Sequence, residues 1–78
     1  MNLIEHARAA SNMPAPEKAR LIREAAGVTQ TQLAESLGVH RMTILRWESG
    51  ERRPRGLYLA AYSLALREMR EGVLGIPA

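Results

Sequence analysis

The sequence predicts an all-α protein, a compact bundle of about five helices, and three observations carry that prediction. Apolar residues recur three and four positions apart along most of the chain. The run Thr29-Gln30-Thr31-Gln32 has the form of a capping box, and Gly27, Gly38, Ser49-Gly50 and Gly72 punctuate the ends of apolar-periodic stretches. With 78 residues, the chain has room for one core, since a domain of this size buries only about 60% of the surface its unfolded chain exposes.

Leu3, Ile4, Ala7 and Ala10 have helical spacing, so residues 2–10 read as a short helix ended by Ser11-Asn12 and by Pro14 and Pro16. Pro16 suits the first turn of the next helix, where a missing N–H costs nothing, and Glu17 complements the dipole there. That helix is expected over 16–26, with Leu21, Ile22 and Ala25 on its apolar side and Gly27 beyond its end. The next starts at the capping box, turns Leu33, Ala34 and Leu37 inward and stops at Gly38, with Val39 as a buried plug in the turn. A further helix over 40–49 places Ile44, Trp47 and His40 on one side and Met42, Leu45 and Arg46 on the other. The last long helix runs from Gly56 or Leu57 to about Arg70, and its apolar arc is wider than the roughly 100° stripe that one core contact requires. Tyr58, Tyr62, Leu66 and Met69 on that arc are therefore the expected homodimer interface, with the N-terminal helix as the competing surface.

Composition removes several classes of function. There is no Cys, and His6 and His40 alone cannot form a metal site, so neither disulfides nor zinc are expected. The longest uncharged run, Gly56 to Leu66, falls short of the roughly 20 apolar residues of a membrane span, and the expected location is the cytoplasm. No nucleophile–base pair or phosphate-cradling glycine loop is legible, so no catalytic residue, no cofactor and no small-molecule ligand are expected. The net charge of +3 is concentrated: Arg41, Arg46, Arg52, Arg53 and Arg55 face only Glu48 and Glu51 between residues 40 and 55, and elsewhere six basic and six acidic residues cancel. Such a window suits a surface that meets a polyanion, although a charge run by itself is usually just a solvated face.

Two helices joined through a short stretch around Gly38 form a helix-turn-helix. Ala34 is small where the helices cross, Gly38 supplies the left-handed turn, and Val39, Ile44 and Trp47 pin the second helix so that its outer face projects as a rod about 15 Å long. At these residues the chain resembles the phage lambda repressor and Cro type of helix-turn-helix proteins, an XRE-like group. The resemblance covers Ala19 to about Leu66: a helix ending in Ala-Gly-Val, then Thr-Gln-Thr-Gln-Leu-Ala-Glu-Ser-Leu-Gly-Val, then Thr43-Ile44-Leu45-Arg46-Trp47-Glu48-Ser49-Gly50 followed by Arg-Arg-Pro. It implies a lambda repressor-like fold; with the pattern read above, the chain divides into a helical extension and proline-containing linker over 1–15, the DNA-binding domain over 16–72 and a tail over 73–78.

The resemblance also implies site roles. Gln30 would hold a DNA phosphate with its side chain and backbone N–H, its alternative being a simple N-terminal cap residue, and Thr29, Thr31 and Thr43 are further expected phosphate contacts. Base edges in the major groove would be read by Arg41, Met42 and Arg46, with His40 and Leu45 beside them. Met42 and Leu45 depart from the polar residues common there and suit thymine methyls or a protein contact. His40 stands where Ser or Thr is usual, which weakens the expected helix cap. Glu48 would pair with Arg23 and lock the reading helix to the scaffold. Arg52, Arg53 and Arg55 look like backbone contacts that fix register, their alternative being a solvated basic loop. The function implied is a sequence-specific transcriptional regulator of the Cro or repressor kind that binds operator DNA as a homodimer. Its rivals are the antitoxin or protein-binding module of a toxin–antitoxin pair and an excision or controller-type DNA-binding factor.

Overall fold

A computed structural model describes residues 13–72, and the expected helix over 2–10 and the tail over 73–78 lie outside the described residues. Four helices follow one another: α1 (Pro16–Ala25), α2 (Gln30–Leu37), α3 (Arg41–Ser49) and α4 (Leu57–Arg70). The described residues contain no strand, and none of their helices is long and apolar enough to cross a membrane.

Each boundary has a local cause. Pro16 opens α1 and Glu17 lies in its first turn. The capping box of α2 is complete: the Gln32 N–H donates to Thr29 Oγ1 at 3.0 Å, and the Thr29 N–H donates to Gln32 Oε1 at 2.8 Å. Gly38 ends α2 at φ +71°, where an added Cβ would meet nothing within 4 Å, so the backbone angle and not space demands glycine. The Val39 N–H then returns to the Ala34 carbonyl at 2.9 Å and closes the turn. At the start of α3, His40 Nδ1 accepts from the Met42 N–H at 3.0 Å. The cap expected to be weak is thus made by an imidazole nitrogen in the role a hydroxyl usually plays.

The core joins all four helices through Ala19, Leu33, Ala34, Ile44, Trp47, Tyr62, Ala65, Leu66 and Met69, with Leu37 and Val39 packed against it. Ile44 and Ala34 are 0% and 2% exposed, which leaves no room for larger side chains where α2 crosses α3. Trp47 stacks on Tyr62 with ring centroids 4.9 Å apart, tying α3 to α4.

Three readings of the sequence are corrected. His40, expected on the inner side of α3 with Ile44 and Trp47, is exposed, because it precedes the helix and its ring turns back to cap it. On α1 the expected apolar side is displaced: Leu21 is 53% exposed and Ala25 is exposed, whereas Ala19 and Arg23 are buried. The inward face contains positions 19, 22, 23 and 26, a helical spacing hidden in the sequence because one of its members is an arginine. On α4, Tyr62, Leu66 and Met69 cannot form a dimer interface, because all three are buried in this chain's own core. The wide apolar arc divides into that core face and an exposed remainder of Leu57, Tyr58 and Leu64.

Tyr62 is 1% exposed, and its hydroxyl has no hydrogen-bond partner among the described residues. Burial pushes its pKa well above the ordinary phenol value, so the neutral ring is the folded form. A group raised in this way gives its stability in full below its unfolded pKa of about 10 and loses it as the pH climbs further. Tyr62→Phe should therefore leave stability at neutral pH unchanged or raise it by about 1 kcal/mol. In urea titrations across pH, the substitution should also reduce the loss of stability above about pH 10.

Candidate nucleic-acid interface

α3 turns one face to the core and another to solvent. Ile44, Trp47 and Glu48 are buried, His40, Arg41 and Arg46 are exposed, and Met42, Thr43 and Leu45 are partly covered. The two apolar residues of the outer side are therefore not a fully bare patch, which lessens the oddity their presence suggested. At nine residues the helix is about 13 Å long, close to the 12 Å width of a B-DNA major groove.

A buried ion pair holds this helix at its inner side. Arg23 on α1 donates from Nε to Glu48 Oε2 at 2.6 Å and from Nη2 to Oε1 at 2.9 Å, and its Nη1 donates to the Val28 carbonyl at 2.8 Å. The two residues are 7% and 8% exposed, so the contact is a bidentate pair in a low-dielectric setting. The hydrogen bond to Glu48 raises the Arg23 pKa, against the opposing effect of desolvation. The expected pairing of Arg23 with Glu48 is thus present.

Gln30 extends this pair towards the surface. Its Nε2 donates to Glu48 Oε1 at 3.1 Å, and its Oε1 accepts from Arg41 Nη1, also at 3.1 Å. Thr31 is exposed beside it at the start of α2, whereas the Thr29 hydroxyl is engaged in the cap. Gln30 and Arg41, assigned separately to phosphate and to base contact, therefore touch one another.

Beyond the C-terminus of α3 the chain turns into the basic loop. The Arg52 N–H donates to the Arg46 carbonyl at 3.2 Å, and the Ser49 hydroxyl donates to the same oxygen at 3.1 Å. Arg52, Arg53 and Arg55 line an open basin of about 880 Å³ together with Trp47 and Tyr58, whose rings lie 6.4 Å apart. Two members of this neighbourhood were not legible as site residues. Tyr58 was read as an interface residue from its helix wheel, and its place in the basin depends on how α4 packs against the loop. Glu51 lies 3.7 Å from Arg46 Nε and partly neutralises a guanidinium on the outer face.

A helix-turn-helix family model matches residues 20–71. No curated protein and no solved structure matches the chain.

Arg23→Ala would leave the Glu48 carboxylate buried without its main partner. It should cost about 3–5 kcal/mol, whereas replacing both residues by Met and Leu should recover most of that loss. Urea midpoints of the single and double variants measure the difference.

Proposed function

Because the chain belongs to the helix-turn-helix family of DNA-binding transcription regulators, we propose that it is a sequence-specific regulator of the phage Cro and repressor kind, binding operator DNA through the major groove as a homodimer. The observation that carries this reading is the division of α3, in which Ile44 and Trp47 are buried while Arg41 and Arg46 are exposed on the same nine-residue helix. Packing from within makes the helix stiff, and guanidinium groups lead from without. In this reading Arg41, Met42 and Arg46 approach base edges, with His40 and Leu45 beside them and Met42 and Leu45 able to meet thymine methyls. Thr31, Thr43, Arg52, Arg53 and Arg55 meet the phosphodiester backbone, and Tyr58 joins them because it lines the same basin.

A two-fold dimer would set two copies of α3 about 34 Å apart on one side of the duplex. With Tyr62, Leu66 and Met69 committed to the core, the α4 surface left for a second copy is centred on Leu57 and Leu64, which are 69% and 45% exposed. Ala61 lies between them on the same helical face. The same leucines favour a second reading, the antitoxin of a toxin–antitoxin pair, in which they bind a different protein. Co-purification of a stoichiometric partner separates the two.

Selection of bound sequences from a random duplex pool tests binding, specificity and half-site spacing together, and a pool that emerges unenriched would sink the reading. On the selected duplex, Arg46→Ala should cost about 1–3 kcal/mol and relax the preference at one base pair. Arg53→Ala should weaken selected and random duplexes alike and flatten the salt dependence. Glu51→Gln removes a negative charge beside Arg46 and should tighten binding to both duplexes about two- to threefold, the scale of an exposed ion pair. Sedimentation at micromolar concentration, with and without the selected duplex, tests the dimer, and Leu64→Glu should shift it towards monomer.

A further inference from the structure

The Gln30 side chain stands between two charges of opposite sign. Its amide nitrogen donates to Glu48 Oε1 and its amide oxygen accepts from Arg41 Nη1, each at 3.1 Å. Only one orientation of the amide satisfies both partners. Turned over, it would set its NH2 against a guanidinium, which has only donors, and its oxygen against a carboxylate, which has only acceptors. The carboxylate cannot adapt, because Arg23 holds Oε2 at 2.6 Å and Oε1 at 2.9 Å in a site where Glu48 is 8% exposed. A fixed anion inside the protein thus dictates the orientation of one amide, and that amide holds an exposed guanidinium.

We infer that Glu48 is a positioning residue for DNA reading, acting through Gln30 to set the direction of Arg41 before DNA arrives. This deepens the proposed function and rests on it. An exposed arginine samples many rotamers, and ordering it on binding opposes association unless the protein has already done so. The hydrogen bond to Gln30 uses Nη1 of Arg41 and leaves the remaining N–H groups of the guanidinium for the duplex. It also changes the part played by Gln30. Both polar ends of its side chain are engaged within the protein, and although the amide nitrogen keeps a second N–H, the hold on Arg41 gives this side chain an effect on DNA beyond any phosphate it meets.

A double-mutant cycle on the selected duplex, joined to 15N relaxation of the Arg41 side-chain Nε in the free protein, tests this. Gln30→Ala leaves the Thr29–Gln32 capping box intact, so its thermal midpoint should stay close to that of the unaltered chain. The variant should raise Arg41 side-chain mobility, weaken the selected duplex about threefold to tenfold, and have a much smaller effect once Arg41→Ala is present. Glu48→Gln should mobilise Arg41 in the same way. If that variant does not fold, Gln30→Ala decides alone, because the route from Glu48 to Arg41 runs through its amide. An undiminished effect of Gln30→Ala in the Arg41→Ala background would assign Gln30 a direct DNA contact and overturn the inference. So would unchanged Arg41 mobility in Gln30→Ala. Failure of the functional reading looks different: no duplex is preferred, yet Gln30 still orders Arg41 in the free protein, and the DNA-reading role falls with its premise.

Discussion

The bidentate contact between Arg23 on α1 and Glu48 on α3 is the constraint on which the outward face of α3 depends. Apolar packing at Ile44 and Trp47 brings α3 to the core, but such packing is non-directional and tolerates small rotations about the helix axis. Two hydrogen bonds of 2.6 and 2.9 Å between planar groups remove much of that freedom. A pair this deeply buried is not clearly a source of net stability, because desolvating both charges offsets most of their attraction. Its contribution here is geometric: it fixes which residues of α3 face outward.

That constraint is shared across three helices. Glu48 Oε1 accepts from both Arg23 and Gln30, so one carboxylate on α3 draws on α1 and on the first residue of α2. The turn between α2 and α3 adds a separate restraint through Gly38 and the return bond from Val39 to Ala34. Rotating α3 would break polar contacts on one side and disturb the Ala34–Ile44 packing on the other. The side chains proposed to meet DNA therefore project from an element whose orientation is over-determined, as a reading surface requires.

The aromatic residues divide their labour by depth. Tyr62 is fully enclosed and stacks on Trp47, whereas Tyr58, about one turn earlier on α4, is 48% exposed beside the arginine-rich loop. Trp47 touches both, so the ring that closes the core also floors the basic basin. Loop and core are thereby coupled at one side chain.

By itself the sequence determined the helical class, the capping box at Thr29, the glycine turn at Gly38, the inward residues Ala34, Ile44 and Trp47, and the concentration of arginine between residues 40 and 55. These are local properties: dihedral preference, short-range hydrogen bonding and periodicity act within a few residues of chain. The fate of Leu21, of the α4 arc and of Gln30 was decided only by the tertiary structure. Arg23 takes an inward place on α1 because Glu48 stands opposite it, twenty-five positions away in sequence, and Leu21 is left outside. Tyr62, Leu66 and Met69 disappear into the core because three other helices reach that side of α4, a matter of how much apolar surface the whole molecule has to cover. Gln30 read as an independent ligand because a helix wheel cannot show that its two amide ends meet opposite charges brought together from one distant helix.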